Sequence, residues 1–261
     1  MTQPLYFDSA SSYKKYGGAE HLDVRKYDRC WYISQAIGTG KTILEVGCGP
    51  GLVGEVLIKN GNVVFGVEPD GEAASEARRR GYREVFEGRF EDYRSDAKFN
   101  VVLFTDVLEH MERPDQALVN THRLNPDFLV ISIPNVAYVK SRYRLLLGRF
   151  DYREDGLFDK THLRWFTLDS FKRMIETSGY RIVEVHSQSL SSRLLNPPVP
   201  TSGIHWGKAF LPVTAIIDLF PKLRALQFVI KAVSIDGWHL YPIPTSHETQ
   251  SSPTRDGEGT Q

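Results

Sequence analysis

The sequence predicts a doubly wound α/β fold, in which a parallel sheet is covered by helices on both faces. Three observations indicate this fold class. A short apolar run ends in a glycine-rich loop, ILEVGCGPG at 43–51, and a second apolar run at 63–67 ends in an acid, Glu68. Further apolar runs then alternate with amphipathic segments along the chain. That alternation is typical of strand–helix–strand units around a buried parallel sheet.

Seven strands and the helices between them follow from the spacing of apolar residues and from glycines that end helices. The predicted strands are 42–46, 62–67, 83–87, 100–105, 128–133, 181–185 and 226–233. The predicted helices are 24–37, 52–60, 71–80, 114–123 and 168–178. Ligands of such sheets bind at the carboxyl ends of the strands, so one site is expected at that edge.

The composition excludes several classes of function. Lysine plus arginine and aspartate plus glutamate number 32 each, so no net charge drives binding to nucleic acid or anionic lipid. The two cysteines, Cys30 and Cys48, are interpreted as reduced thiols, and the spacing of Cys and His predicts no metal site. The sequence shows neither a signal peptide nor a run of ~18 apolar residues, so a cytoplasmic protein without membrane insertion is expected.

The glycine loop and the acid after the next strand are typical of nucleoside binding. The loop brings backbone close to the ligand, and Glu68 can accept hydrogen bonds from ribose hydroxyls. Gly49, Gly51 and Gly54 satisfy G-x-G-x-x-G, so an enzyme that binds a nicotinamide or flavin dinucleotide is one interpretation.

A longer pattern favours another nucleoside. The arrangement E-x-G-x-G-x-G from Glu45 resembles motif I of class I S-adenosylmethionine (SAM) methyltransferases. The resemblance continues in order through Glu68, FEGRFEDY at 86–93, FNVVLFTDVLEHMERP at 99–114 and FLVISIPN at 128–135, and covers roughly 40–185. It implies SAM as cofactor and a Rossmann-like seven-stranded sheet, mostly parallel with an antiparallel last strand.

The resemblance also implies which residues bind the cofactor. The glycine loop would contact the methionine part, Glu68 the ribose, the segment after the third strand the adenine, and the end of the fourth strand the methionine amino group. Arg89 stands directly after Gly88, where the family often has an acid, and Asp106 could equally cap the following turn. The cofactor-binding candidates are Glu45, Gly47, Gly49, Gly51, Glu68, Phe90, Glu91, Thr105 and Asp106.

A base for the methyl acceptor is sought among histidines near the same edge. An alcohol acceptor needs its proton removed, whereas an amine needs less help. His162 lies in GLFDKTHLRWFT at 156–167, between the fifth strand and the next helix, and Asp159 or Asp155 could orient its imidazole. His110, which ends DVLEH, is the other candidate. The alternative for both histidines is a structural role.

The acceptor itself is less defined. T-H-L-R-W-F-T resembles a string found in bacterial class I methyltransferases, several of them associated with sugar or cell-envelope biosynthesis. The resemblance implies O-methylation of a small-molecule, sugar or glycolipid acceptor. The alternatives are N-methylation of a small molecule or protein, and SAM binding without catalysis. Nucleic-acid acceptors are disfavoured because the chain has no basic arm and no N/D-P-P-Y tetrad.

The domain organisation expected from the sequence has three parts. Residues 1–40 form an N-terminal helical cap, 41–244 the methyltransferase domain with an insertion at about 187–224, and 245–261 a disordered tail. The amphipathic segment 210–221 is expected to cover the acceptor site or to form a subunit contact in a homodimer.

Overall fold

The computed structural model describes residues 28–189 and 225–235, which form one seven-stranded sheet with helices on both faces. The strands are β1 Thr42–Val46, β2 Val63–Glu68, β3 Glu84–Glu87, β4 Val101–Thr105, β5 Phe128–Pro134, β6 Tyr180–Ser189 and β7 Ala225–Ser234. The helices are α1 Arg29–Ile37, α2 Leu52–Lys59, α3 Gly71–Arg79, α4 Pro114–Thr121, α5 Val139–Leu146 and α6 Leu168–Thr177. Two 3₁₀ turns follow β4 and α4: η1 Leu108–His110 and η2 His122–Leu124.

The strand order is β3-β2-β1-β4-β5-β7-β6. Strands β1 to β5 pair in parallel, and β7 runs antiparallel to both of its neighbours. The predicted mostly parallel sheet with an antiparallel last strand is confirmed. The chain leaves the β3 edge and resumes at β4 beside β1, so the order reverses between β1 and β4. This switch point is where doubly wound sheets bind their ligands.

Each face of the sheet is buried under its own helices. On one face, apolar side chains of α1, α2 and α3 pack against strand residues such as Ile43 and Leu103. On the other face, Phe171 of α6 and Leu118 of α4 pack against alternate strand residues such as Phe104. Burial on both faces explains why the central strands read as continuous apolar runs rather than as alternating ones.

The main difference from the prediction is α5, which the sequence did not suggest. Val139–Leu146 has an exposed apolar stretch at its end, where Leu146 is 83% exposed, and only Ser141 of this helix is buried. Without a buried stripe, the usual helical spacing of apolar residues is missing. Strand β6 also continues to Ser189, past the predicted end at 185, because β7 pairs with it along that length.

Several expectations concern residues outside the described ranges. These are the start of the N-terminal cap up to residue 27, the greater part of the 187–224 insertion with its amphipathic segment 210–221, and the tail at 245–261. Within the described ranges, no helix has both the length and the apolar character needed to cross a membrane.

Candidate active site

The candidate site residues gather at the carboxyl ends of β1, β2 and β4, around the switch point. The glycine loop follows β1, Glu68 ends β2, and Asp106 follows Thr105 at the end of β4. Because these strands are parallel and adjacent in the order β2-β1-β4, their ends lie side by side. The common edge predicted from the sequence is therefore present in the structure.

The three glycines of the loop all adopt positive φ, but they meet different surroundings. A Cβ on Gly47 would collide with Val107, and one on Gly51 would lie 2.9 Å from the Cα of Ala77. A Cβ on Gly49, at φ 53°, would meet no heavy atom within 4 Å. Gly47 and Gly51 are thus required by packing within the protein, and only Gly49 borders open space that a ligand can enter.

Glu68 links the glycine loop to the end of β2. Its side chain is buried, and its Oε2 accepts a hydrogen bond of 2.8 Å from the backbone N–H of Gly49. Its Oε1 accepts one of 3.0 Å from the backbone N–H of Asp70. Each carboxylate oxygen has two lone pairs, so these bonds leave acceptor capacity for the hydroxyls of a ribose.

Glu45 lies beneath the loop rather than on its open side. It is 2% exposed, and its Oε2 accepts a hydrogen bond of 2.5 Å from the Tyr82 hydroxyl. Burial raises the pKa of this carboxyl to about 7, although the Tyr82 hydrogen bond acts in the opposite direction. Glu45 therefore supports the loop from below through Tyr82, whose ring also packs beside Gly51.

Asp106 is the most constrained residue of the site. It has φ 50°, which is uncommon for a residue with a side chain. Its carboxylate accepts hydrogen bonds from Ser132 Oγ at 2.6 Å and from Gln227 Nε2 at 2.9 Å, and it forms an ion pair with Arg29. Contacts from α1, β5 and β7 thus fix one carboxylate, and they hold a left-handed backbone in place.

The segment after β3 contains the two candidates for adenine binding, Phe90 and Glu91. The Phe90 side chain is buried against Phe104, and the Phe90 carbonyl oxygen accepts a hydrogen bond of 2.6 Å from Arg123 Nη2. The Glu91 side chain is 41% exposed and lies 3.5 Å from Arg89. Thr105, the remaining cofactor candidate, ends β4 and is half-buried.

Two histidines distant in sequence come together beside β4. The rings of His110 in η1 and His162 in the loop before α6 have centroids 4.7 Å apart. His110 Nδ1 lies 3.1 Å from the Thr161 carbonyl oxygen, and His162 Nδ1 lies 3.0 Å from the Leu157 carbonyl oxygen. A carbonyl oxygen only accepts, so each Nδ1 carries a proton and each neutral ring has its lone pair on Nε2.

Glu109 completes this group. Its side chain is 1% exposed, and burial raises the pKa of its carboxyl to about 8. The backbone N–H groups of Leu163 and Arg164 donate to its carbonyl oxygen at 2.8 and 2.9 Å, which ties the His162 loop to η1. One ligand atom from each of Glu109, His110 and His162 lies within 4.8 Å of the other two.

The carboxylates expected to orient His162 lie in the same loop, and the Asp159 carbonyl oxygen accepts a hydrogen bond of 3.0 Å from the His162 backbone N–H. Asp159 is buried, and its Oδ1 accepts a hydrogen bond of 2.9 Å from the backbone N–H of Thr161. Asp155 is exposed. The contact at His162 Nδ1 is the Leu157 carbonyl oxygen, and Asp159 shapes the turn that carries the histidine.

The chain matches a known family over this whole region. Residues 19–185 match the family described as "Methyltransferase domain". The chain belongs to this methyltransferase family. The predicted SAM-dependent methyltransferase class, with SAM as its cofactor, is thereby confirmed at the level of the family, and the dinucleotide interpretation is set aside.

Individual relatives match parts of the chain. A ubiquinone biosynthesis O-methyltransferase from Pseudomonas paraeruginosa is 32% identical over 104 residues, which are 36% of this chain and 44% of that protein. An uncharacterized methyltransferase from Mycobacteroides abscessus is 27% identical over 177 residues, 62% of this chain and 64% of that protein. The chain thus spans less than half the length of the ubiquinone-related protein.

Solved structures share the fold. A SAM-dependent methyltransferase from Archaeoglobus fulgidus superposes with a TM-score of 0.54 at 19% identity, covering 78% of this chain and 90% of that one. One from Aquifex aeolicus has a TM-score of 0.52 at 14% identity, covering 88% and 100%. At these identities the comparison establishes the α/β architecture alone.

Sequence reasoning missed four residues that shape the site. Arg29 and Gln227 reach Asp106 from opposite ends of the chain, and Ser132 reaches it from β5. Arg29 and Gln227 belong to no motif, and Ser132 lies in FLVISIPN at 128–135 without having been named as a candidate. Glu109 was detectable from the sequence, because it stands in DVLEH directly before His110, which is itself a candidate.

Proposed function

We propose that this protein transfers the methyl group of SAM to a hydroxyl oxygen of a small-molecule acceptor. The observation that supports this most strongly is the pairing of His110 and His162 beside the end of β4, with Glu109 buried against them. An alcohol acceptor needs a group that removes its proton, whereas an amine acceptor needs less help from a base. The relatives named as O-methyltransferases support the same acceptor atom.

The cofactor is held, in this proposal, between the glycine loop and the ends of β2 and β4. The open space beside Gly49 allows the ligand to approach the backbone of the glycine loop closely, and the Glu68 carboxylate binds the ribose hydroxyls. Asp106 binds the positively charged amino group of the methionine part. Arg29, which is paired with Asp106 in the structure, is placed to bind the carboxylate of the methionine part. When bound, SAM supplies a methyl group on a cationic sulfur.

The chain's own residues contribute alignment and proton handling. Methyl transfer is an in-line displacement, so the protein must hold the acceptor oxygen on the far side of the methyl carbon. Glu109 and His110 follow Asp106 closely along the chain, and together with His162 they bind the acceptor hydroxyl. His162, on the more exposed loop, is the member that reaches toward the acceptor.

The proposal also covers what surrounds the site. Trp165 packs edge-to-face with Phe150 at 5.2 Å and lies 5.7 Å from the His162 ring, so an aromatic wall continues from the histidines to the surface. A flat or glycosylated acceptor would stack on such a wall.

Methyl transfer to a panel of phenols, sugars and matched amines, read as formation of S-adenosylhomocysteine, tests the proposal. We expect turnover with a hydroxyl acceptor, and His162→Ala should lower that turnover by about 10²–10⁴-fold while SAM affinity stays nearly constant. His186→Ala, which removes a half-buried histidine on β6 away from the cluster, is the matched control. Turnover with amines alone, or a fully active His162→Ala protein, would contradict the proposal.

A further inference from the structure

The cluster of Glu109, His110 and His162 has the composition of a metal site, which the sequence did not predict. The expectation of no metal was based on the absence of Cys and His residues at metal-ligand spacing in the sequence. Here two ligands, Glu109 and His110, come from η1, and the third, His162, comes from a loop that is joined to η1 through the carbonyl oxygen of Glu109. Folding, rather than sequence spacing, brings the three side chains together.

We propose that Glu109, His110 and His162 bind one divalent first-row transition-metal ion. Their ligand atoms already lie within 4.8 Å of one another, so small side-chain movements bring all three to a common ion. Two imidazole nitrogens and one carboxylate oxygen form a set that Zn²⁺ and its neighbours favour, whereas Mg²⁺ and Ca²⁺ prefer oxygen ligands alone.

The histidines are oriented as metal-binding histidines usually are. Each has its Nδ1 at a backbone carbonyl oxygen, Thr161 for His110 and Leu157 for His162. This contact selects the tautomer whose Nε2 carries the lone pair, and it fixes the ring plane. The two ring planes make an angle of 67°, and one nitrogen of each ring lies within 4.8 Å of one nitrogen of the other.

The carboxylate provides independent support. Glu109 Oε2 is fully buried and has no hydrogen-bond partner among the described residues. A buried carboxylate oxygen without a partner costs free energy, and coordination of a cation would remove that cost. One carboxylate oxygen of Glu109 lies within 4.8 Å of a ring nitrogen of each histidine.

The local charge also suits a cation. The guanidinium of Arg29, the cationic group that acts on Glu109, is paired with Asp106, so its charge is largely balanced. Asp159 adds a second negative charge close enough to act on Glu109. The carboxyl groups of Glu109 and Asp159 therefore give these surroundings an acidic character that suits a divalent ion.

Bound there, the ion would deepen the proposed function, on which this role rests. An acceptor hydroxyl that coordinates the ion loses its proton to water more readily. The oxygen then attacks the methyl carbon, the carbon–sulfur bond breaks, and its electron pair stays on sulfur. With both Nε2 lone pairs coordinated, the cluster acts on the acceptor through the ion rather than through a free imidazole.

Titration of the untagged full chain with Co²⁺, after dialysis against a chelator, tests the site through the visible absorption of the bound ion. We expect one strongly bound ion per chain, displaced by Zn²⁺. His162→Ala and Glu109→Gln should each weaken binding by at least about 10–100-fold. His186→Ala should bind like the wild type. Thermal denaturation of the buried Glu109→Gln variant checks its folding, and the half-buried His162→Ala gives a second, less disruptive test.

The result that would overturn the site is an absence of saturable Co²⁺ binding by the wild type, or equal binding by wild type and both ligand variants. These outcomes are distinguishable from failure of the proposed function. Co²⁺ binding without any methyl transfer would contradict the proposed function but support the metal site. Methyl transfer that needs no metal, yet is abolished in His162→Ala, would contradict the metal site but support the proposed function.

Discussion

Substituting Glu68 by glutamine should weaken SAM binding while the fold is kept. In the structure this carboxylate accepts backbone N–H groups of Gly49 and Asp70 and has lone pairs left for ribose hydroxyls. Glu68→Gln keeps the shape but replaces one acceptor oxygen by an amide donor. Losing a hydrogen bond to a charged group costs about 1.5–3 kcal/mol, which corresponds to about 10–150-fold in Kd.

The same substitution should also lower stability, because one of the two backbone N–H groups would face the new amide. A loss of about 1–3 kcal/mol of unfolding free energy is expected from an unsatisfied buried donor. Calorimetric titration with S-adenosylhomocysteine gives the affinity, and urea denaturation monitored by circular dichroism gives the stability, so the two effects are measured separately.

Glu87→Gln is the matched control for Glu68→Gln. Glu87 ends β3, is the register partner of Glu68, and has a side chain that is 48% exposed and paired with Arg78. This control should leave both the affinity and the stability close to those of the wild type. Glu68→Gln binding with wild-type affinity would refute the assignment of Glu68 to the ribose.

Two further substitutions test the support of the glycine loop. Gly49→Ala adds a Cβ that meets no protein atom within 4 Å, so it should cost only about 1 kcal/mol of unfolding free energy, because of the positive φ. The same substitution should abolish SAM binding measured by calorimetry. An alanine variant that binds SAM normally would show that the ligand does not approach Gly49. Glu45→Gln should alter the pH dependence of stability. Because burial raises the folded-state pKa of Glu45 from 4.5 to about 7, its favourable contribution is complete below pH 4.5 and is lost as the pH rises through 7. The variant lacks this loss, so its unfolding free energy should exceed that of the wild type by up to about 3 kcal/mol at pH 8 and match it near pH 4.5; a pH-independent difference would contradict the assignment.

The fold could be predicted because its signals are local. Central strands buried on both faces appear as continuous apolar runs, and the positive φ values of the loop after β1 require glycine at Gly47 and Gly51. Helix α5 escaped prediction because little of it is buried. Local patterns therefore predicted the elements that pack into the core, and failed for the element that does not.

The site could be predicted only in part, because some of its contacts join distant parts of the chain. Glu68 and Asp106 could be placed from strand ends alone. The partners of Asp106 could not, since Arg29 and Gln227 come from α1 and β7, and neither belongs to a motif. The contact between His110 and His162 likewise depends on how the loop before α6 folds back onto η1.

The central claim is that the edge formed by β1, β2 and β4 binds SAM. Calorimetric titration of the full chain with SAM, S-adenosylhomocysteine and NAD, each separately, tests it most directly. We predict saturable binding of SAM and S-adenosylhomocysteine at one site per chain and no heat of binding with NAD. Binding of NAD without binding of SAM would contradict the account.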